Sequence, residues 1–164
     1  MPEKRSVFWF RRDLRLSDNH GLYQALVSGN KVLPIFIFDI EILSQLENKE
    51  DRRVDFIFQA LNDMNDELQK IGRAIQIFHG KPLEIFQKIT QDFAVEKVFC
   101  NEDYEPSAIT RDLAVADFLT SRKIEFQSFK DQVHFHKDEI LKSDKTPYTV
   151  YTPYSKQWLL KYDA

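Results

Sequence analysis

Five short apolar runs, each separated from the next by a segment with helical periodicity, constrain the fold of this 164-residue chain more than any other feature. They lie at 7–10, 32–38, 74–78, 97–100 and 124–129. Strands that alternate with helices along a chain build a parallel sheet. Residues 35–38 are consecutively apolar, which is typical of a strand covered by helices on both faces. We therefore predict an α/β fold, a doubly wound, Rossmann-like, five-stranded parallel sheet of order 3-2-1-4-5 with helices on both faces.

The segment after Asp51 predicts the clearest helix. Its apolar residues recur at steps of three and four and form one stripe that we expect to lie on the sheet: Val54, Ile57, Leu61, Met64, Leu68 and Ile71. Gly72 follows at the position where a left-handed residue would end the helix.

Capping residues predict three more helices. Ser17 or Asp18 is expected to cap the first, since either side chain can accept a hydrogen bond from a free backbone amide. Pro82 and Pro106 predict the other two, because proline is tolerated in the first helical turn. The helix after Pro106 is expected to turn three residues toward the sheet: Ile109, Leu113 and Ala116.

The overall charge argues against a module built mainly to hold nucleic acid. The net charge is -3 and the isoelectric point is about 5.8, so the chain lacks the basic field that phosphate backbones attract. Its single cysteine, Cys100, forms no internal disulfide, and no apolar run is long enough to span a bilayer. We expect a cytoplasmic protein with no membrane partner.

The helical and strand periodicity weakens after residue 130 and divides the chain. Residues 1–130 are predicted to form the α/β domain, and residues 131–164 a connector followed by the start of a helix. Thr152 offers an N-cap and Pro153 a first helical position for that helix. We expect the helix to fray or to bind other surfaces, because its aromatic face lacks a partner: Tyr154, Trp158 and Tyr162.

A parallel sheet of this kind binds ligands beyond the carboxyl ends of its strands. Charged and aromatic residues fall at those ends, and we predict that they form a slot for a planar conjugated ring: Arg11, Phe36, Phe38, Asp39, Arg53, Asp103 and Glu105. The ring would stack on phenylalanine, the carboxylates would accept hydrogen bonds from it, and an arginine would meet an anionic tail. Four other charged residues alternate in sign after the first strand and are expected to pair with one another: Arg12, Asp13, Arg15 and Asp18.

The sequence offers no catalytic constellation. No GxGxxG follows the first strand and no Walker-type loop occurs, which argues against a dinucleotide site of the dehydrogenase kind. His134 and His136 form an HxH pair, but no third ligand at suitable spacing completes a metal set. Cys100, at the end of an apolar strand, is expected to be a buried small hydrophobic residue rather than a nucleophile. We therefore predict neither catalytic residues nor a metal site.

Four ordered motifs are more specific than any single residue: WFRRDLRLSDN at 9–19, VLPIFIFD at 32–39, NEDYEP at 101–106 and PYTVYTP at 147–153. Together they resemble the motifs of the DNA photolyase and cryptochrome family, and the resemblance spans nearly the whole chain. It implies the amino-terminal α/β domain of such a protein, which holds a light-harvesting antenna pigment. The catalytic cofactor, FAD, would belong to a later helical domain.

For the parent protein, the resemblance implies a deoxyribodipyrimidine photolyase, a carbon-carbon lyase. Its antenna passes light energy to FAD, which splits cyclobutane pyrimidine dimers in DNA. This chain would supply only the antenna step, with its own carboxy-terminal FAD domain as partner and damaged DNA as a partner of the full-length protein. One alternative is the same domain in a cryptochrome, a blue-light photoreceptor that signals without repair. Another is a free-standing nucleotide-binding protein, such as a universal stress protein, which should carry a glycine-rich phosphate loop near its carboxyl end; this chain shows none.

The resemblance also narrows the pigment. Relatives with a folate antenna typically carry Asn and Glu where this chain has Ser107 and Ala108, which disfavours folate. Relatives that hold a deazaflavin or FMN are similar to this chain at six slot positions: Arg11, Phe36, Asp39, Arg53, Asp103 and Glu105. We therefore expect a flavin-like antenna, FMN or a deazaflavin, with an empty pocket as the alternative.

Overall fold

A computed structural model of the chain describes residues 3–48 and 50–163. Contacts divide the chain into two compact units, Met1–Asp131 and Gln132–Ala164. In the described part, no helix has both the length and the apolar character needed to cross a membrane. The elements follow in chain order: β1 (Arg5–Phe10), α1 (His20–Val27), β2 (Lys31–Asp39), α2 (Ile40–Leu43), α3 (Arg52–Gln69), β3 (Gln76–Gly80), α4 (Pro82–Asp92), β4 (Val95–Asn101), α5 (Pro106–Ser121), β5 (Glu125–Phe129) and α6 (Tyr151–Tyr162).

The strand β1 lies at the centre of the sheet, whose order is β3-β2-β1-β4-β5. All four strand pairings are parallel, so the predicted fold class and strand order are confirmed. The second strand also explains how a proline sits inside a sheet. Pro34 lies opposite Phe8 of β1, whereas β2 pairs with β3 only from Ile35 onward. At Pro34 the strand β2 therefore has a paired neighbour on one side only, as at the edge of a sheet, where proline is tolerated.

Alternate residues of β1 point to opposite faces of the sheet, and each face has its own core. Trp9 lies on the face covered by α4 and α5, where its ring meets Phe86 edge to face at 5.2 Å between centroids. Phe8 and Phe10 lie on the other face, packed with side chains of α1 and α3. The helices therefore cover both faces, as predicted.

The helix α3 ends as its sequence predicts, at a left-handed glycine. Gly72 has a φ of 67°, and the amide of Arg73 donates to the carbonyl of Leu68 at 2.9 Å to close the helix end. Leu61 is fully buried, in keeping with the predicted apolar stripe. Ile71 does not belong to that stripe, because it follows the last helical turn and is exposed.

The helix α1 is capped by Asn19, and the prediction of Ser17 or Asp18 was wrong. The side-chain oxygen of Asn19 accepts from the amide of Leu22 at 3.0 Å. Asp18 has a φ of 50°, a left-handed turn that moves the cap position one residue further. Sequence rules did not choose correctly here, because adjacent side chains can all serve as cap acceptors.

The helix α5 turns a different face to the sheet from the one predicted. Its buried residues are Ala108, Val115 and Leu119, whereas Leu113 is 60% exposed. Positions 111 and 112 lie between Ala108 and Val115 on the inward side, and they carry an arginine and an aspartate that pair with each other. Because two charged residues interrupt the inward face, the spacing of apolar residues in the sequence did not reveal which face of α5 packs on the sheet.

The helix α6 begins at Tyr151, two residues before the predicted first position at Pro153. Val150 occupies the N-cap position without a side-chain hydrogen bond, so the predicted cap at Thr152 was wrong. Pro153 is the third helical residue. The first four amides of a helix have no intrahelical acceptor, so a proline there removes no hydrogen bond.

A buried polar network joins the turn after β1 to the end of β4. The carboxylate of Asp13 accepts from the side-chain amides of Asn19 at 3.2 Å and of Asn101 at 2.6 Å. Asn101 also donates to the Asn19 side-chain oxygen at 2.8 Å, and its own oxygen accepts from the amide of Gly21 at 2.8 Å. All three polar side chains are buried, so these hydrogen bonds are shielded from water. They fix α1 against β4.

This network requires glycine at position 21. A Cβ atom built on Gly21 would lie 2.6 Å from the Asn101 side-chain oxygen, 3.0 Å from the Phe8 ring and 3.1 Å from the Cys100 carbonyl. The first of these distances is one that real Cβ atoms essentially never show, so with a larger residue either the Asn101 side chain or α1 would have to shift.

We expect Gly21→Ala to destabilise the fold by about 1–3 kcal/mol through overpacking. Helix propensity alone predicts the opposite sign, a gain of about 1 kcal/mol for alanine over glycine. Urea unfolding of the chain, of Gly21→Ala, of Asn101→Ala and of the double variant measures the effect. The clash is with Asn101, so the loss should be smaller in the Asn101→Ala background; a stabilised Gly21→Ala would contradict this account.

Candidate functional site

The carboxyl ends of the parallel strands form one edge of the sheet, as the sequence predicted. The strand β1 ends at Phe10, which pairs with Phe36, and β2 continues to Asp39. The strand β4 ends at Asn101, and the residues that follow lead into α5. At this edge lie the predicted slot residues of β2 and those that follow β4: Phe36, Phe38, Asp39, Asp103 and Glu105.

Arg12 joins two of the predicted acidic residues. Its Nη2 donates to the Glu105 carboxylate at 2.5 Å, and its Nε lies 3.6 Å from the Asp103 carboxylate. The side chains of Arg12 and Glu105 are more than half exposed, at 57% and 58%, whereas that of Asp103 is 9% exposed. The structure therefore places one buried and one exposed carboxylate under a single accessible guanidinium.

The sequence argument missed Arg12, which was expected to pair within the group of alternating charges that it forms with Asp13, Arg15 and Asp18. The consecutive arginines after β1 contained the signal. The chain bends at Arg11 and Arg12, just after β1, and the two side chains go to different sides: Arg12 contacts Asp103 and Glu105, and Arg11 contacts Asp112. The sequence alone does not say which of them faces the ligand edge.

Arg11 points to the opposite side and is buried, with 7% of its side chain exposed. Its Nη1 donates to the carboxylate of Asp112 on α5, and its guanidinium lies 5.1 Å from the centroid of the Trp9 ring. Burial opposes the charge on Arg11, but the electrostatic influence of Cys100 and of Asp112 outweighs it, so the net direction of its pKa is upward. Arg11 therefore forms part of the protein interior.

The two predicted phenylalanines pack against each other on the side of the sheet that α1 and α3 cover. The rings of Phe36 and Phe38 meet edge to face at 4.9 Å between centroids. Phe36 is buried and Phe38 is partly exposed, so Phe38 offers the accessible ring surface. Asp39, which is buried, accepts from the amide of Glu41 at 2.9 Å and caps α2.

Arg53 is held at the start of α3 by the helix cap. Its Nε and Nη2 donate to the two carboxylate oxygens of Asp51 at 2.9 and 2.6 Å, and its amide donates to the same carboxylate. This arrangement lowers the pKa of Asp51 to about 2. The Arg53 side chain is 77% exposed and its guanidinium stays accessible.

Arg15 forms its ion pair with Asp131, which follows β5, and also contacts the main chain of Asp18. Arg15 Nη2 donates to the Asp131 carboxylate at 2.7 Å and to the main-chain oxygen of Asp18 at 2.6 Å. The other Asp131 oxygen accepts from the amide of His20, the first residue of α1, at 3.1 Å. These contacts attach the end of β5 to the corner.

Cys100 is fully buried, as the sequence predicted, and its thiol is protonated at ordinary pH. Burial raises its pKa from 9.0 to about 12, although the nearby Arg11 acts in the opposite direction. Within residues 3–48 and 50–163, no group of three or more His, Cys, Asp or Glu side chains is placed to hold a metal ion.

Comparisons of the sequence and of the structure with known proteins point to the same group of proteins. The sequence profile of DNA photolyase matches residues 6–164. The chain is 34% identical over 152 residues to the deoxyribodipyrimidine photo-lyase of a Synechococcus species, covering 93% of this chain and 31% of that protein. It is 32% identical over 127 residues to cryptochrome-1 of Drosophila melanogaster, covering 74% of this chain and 23% of that protein.

Among solved structures, the chain resembles an archaeal photolyase from Sulfolobus tokodaii with two FAD molecules, a structure that implies a novel light-harvesting cofactor. The TM-score is 0.77 at 29% identity, and the match covers 93% of this chain and 34% of that one. The chain thus spans about a third of the length of the photolyases that it matches.

We expect the buried thiol of Cys100 to make stability fall in alkaline solution. The unfolded chain ionises this thiol near pH 9.0, whereas the folded chain holds the proton to about pH 12, so folding is favoured less as pH rises between these values. The slope from this group is at most about 1.4 kcal/mol per pH unit. Urea unfolding of the chain and of Cys100→Ala from about pH 8 to 11 isolates it, because other alkaline titrations cancel in the difference. A difference that does not change with pH would rule out the proposed burial effect.

Proposed function

The chain belongs to the DNA photolyase family, and we propose that it is the light-harvesting α/β domain of a photolyase. The observation that carries this proposal is the charged cluster at the carboxyl edge of the sheet, in which Arg12 and Glu105 are exposed and Asp103 is largely buried. Ligands of doubly wound sheets bind at that edge. The chain spans about a third of its photolyase relatives, so splitting of pyrimidine dimers, the catalytic FAD and the DNA surface are proposed for the whole protein.

The exposed ion pairs of the edge suit a ligand site because they can be exchanged at small cost. An exposed pair such as Arg12 with Glu105 is worth about 0–1 kcal/mol, so a ligand that offers equivalent hydrogen bonds can replace it. Breaking the buried pair of Arg11 with Asp112 would cost about 3–5 kcal/mol. We therefore assign ligand contact to Arg12 and an internal role to Arg11.

The other predicted slot residues would act from fixed positions. Asp103, a largely buried carboxylate, would accept hydrogen bonds from NH or hydroxyl groups of the pigment, and Phe38 would contact its ring. Arg53 would meet an anionic tail, since its guanidinium is exposed. Asp39 would complete the edge beside α2. The bound pigment would absorb light and pass the energy to FAD.

We propose a flavin as this pigment, FMN or a deazaflavin. Ser107 is exposed and Ala108 is buried, and neither side chain supplies the carboxylate that folate-binding relatives carry there. The two FAD molecules of the Sulfolobus tokodaii photolyase, with the light-harvesting cofactor they imply, support a flavin in this role. A cytoplasmic location remains a prediction from the sequence.

A cryptochrome-type photoreceptor is the second candidate. The 32% identity to Drosophila cryptochrome-1 supports it. The proposed pigment site at the carboxyl edge of the sheet would bind an antenna pigment in either kind of protein. Repair of a cyclobutane dimer by the full-length protein under blue light would decide for the photolyase, and light-dependent partner binding without repair would decide for the cryptochrome.

The unit 132–164 offers a surface for the proposed FAD domain. In it, Trp158 and Tyr162 stack at 5.2 Å with an angle of 12° between their planes, and Phe135 meets Trp158 edge to face. Large apolar side chains of α6 remain exposed, among them Leu160 and Tyr151. Exposed apolar patches of this kind mark interaction sites, and we propose that the FAD domain covers this one.

We expect the 164-residue chain to bind FMN or a deazaflavin through the charged edge. Loss of a charge-assisted hydrogen bond weakens binding by about 1.5–3 kcal/mol, so Asp103→Ala and Arg12→Ala should raise the dissociation constant at least tenfold, with a smaller effect for Arg53→Ala. Fluorescence titration measures the affinity. Lys4→Ala is the matched control. Lys4, just before β1, forms an exposed ion pair with Glu96 of β4, and loss of this pair should leave binding as it is in the unaltered chain. Equal affinity in all four variants would reject this site.

We expect α6 to exchange its amide hydrogens at least 100-fold faster than β1 in the monomeric 164-residue chain. The helix buries no residue completely, whereas β1 lies in the middle of the sheet. Hydrogen exchange followed by mass spectrometry or NMR measures both segments in one sample. Equal protection of α6 and β1 would show that the helix needs no further partner.

A further inference from the structure

The carboxyl half of β2 and β3 is incompletely covered on the face of the sheet that carries α1 and α3. The register pairs Phe36 with Ile77. It also pairs Phe38 with His79, so these four side chains lie on one face. Ile75, just before β3, is 7% exposed and belongs to the core of that face, whereas Ile77 is 43% exposed. Phe38 is partly exposed and His79 is exposed, so exposure rises toward the carboxyl edge.

The packing of α3 accounts for this open strip, which consists of Phe38, Ile77 and His79. The second half of the helix buries Leu61 and Met64 against the sheet. Residues 52–60 bury no side chain, although the apolar stripe of the helix continues through them. Because α3 follows the carboxyl end of β2 and returns toward the start of β3, its loosely packed half lies near the carboxyl edge.

The open strip lies at one end of the carboxyl edge, and Asp103, which follows β4, lies at the other. Along the order β3-β2-β1-β4, three strand spacings separate the two ends, a distance of roughly 14 Å. That span is comparable with the length of three fused rings that make a contact at each end. A flavin has NH and carbonyl groups at one end of its three rings and two methyl groups at the other, which matches a carboxylate at β4 and an apolar surface at β3.

We propose that the pigment ring lies across the strands, with its hydrogen-bonding end at Asp103 and its dimethyl end on Phe38 and Ile77. This inference rests on the proposed pigment site, and it adds an orientation and a contact with β3. Ile77 is not among the residues that the sequence predicted for the slot. The ligand class is a flavin methylated at its far end, such as FMN, because methyl groups gain free energy by covering the exposed surface of Ile77.

Paired changes in the ligand and in the chain test this orientation. Ile77→Ala should weaken FMN binding at least about fivefold, because it removes apolar surface that the methyl groups cover. For an FMN analogue that lacks both methyl groups, the same substitution should weaken binding less than about twofold, since the contact is already absent. Fluorescence titration measures the four dissociation constants. Equal weakening for both ligands would overturn the proposal.

Ile71→Ala is the matched control for the substitution. Ile71 is 71% exposed and lies after α3 and before β3, at the opposite end of the sheet from the carboxyl edge. Its replacement should leave FMN binding unchanged, and equal weakening by Ile71→Ala and Ile77→Ala would contradict the proposed contact. Weak binding by Asp103→Ala together with unchanged binding by Ile77→Ala would overturn the orientation alone. An unaltered chain that does not bind FMN would overturn the orientation and the flavin site together.

Nuclear magnetic resonance of the 164-residue chain detects the contact without a variant. With isotope-labelled isoleucine methyl groups, we expect nuclear Overhauser effects between the ring methyl groups of bound FMN and the δ1 methyl group of Ile77, and none with Ile71. A complex saturated with FMN that shows no such effect at Ile77 would overturn the proposal.

Discussion

The arrangement of the α/β unit depends on the buried hydrogen bonds among Asp13, Asn19 and Asn101. They join the turn after the central strand to the end of β4, and through the amide of Gly21 they bring α1 close to the sheet. Because each of these side chains is buried, loss of one partner would leave the others without acceptors or donors. The network therefore fixes the carboxyl edge of β1 and β4, from which the candidate site is built.

The two arginines after β1 show how adjacent residues with the same chemistry acquire different roles. Where the chain bends after β1, Arg11 lies beside Trp9 and Arg12 lies at the accessible edge. Arg11 is bound in a buried ion pair that is costly to break, whereas the exposed contacts of Arg12 can be exchanged for a ligand. Burial rather than residue type separates a structural arginine from one that can bind a ligand.

Charged residues between β1 and α1 also stabilise the fold through contacts with distant segments. Asp131 accepts from Arg15 and from the first amide of α1, and so connects β5 with the start of that helix. A carboxylate at a helix N-terminus is also favoured by the helix dipole. The alternating charges after β1 thus mainly stabilise the fold, and Arg12 is the one of them that lies at the accessible edge with Asp103 and Glu105.

The sequence by itself determined the α/β fold class, the helices that begin at Pro82 and Pro106, and the left-handed residue Gly72 that ends α3. These features follow from apolar periodicity and from the backbone preferences of proline and glycine, all of which act locally. It did not determine the cap of α1, the inward face of α5 or the roles of Arg11 and Arg12. These depend on the partners that side chains find across the sheet, such as Asp112 for Arg11 and Asp103 for Arg12, at separations of about ninety residues or more in the chain. Only the tertiary structure brings such partners together, since local pattern carries no information on which distant charge a side chain will meet.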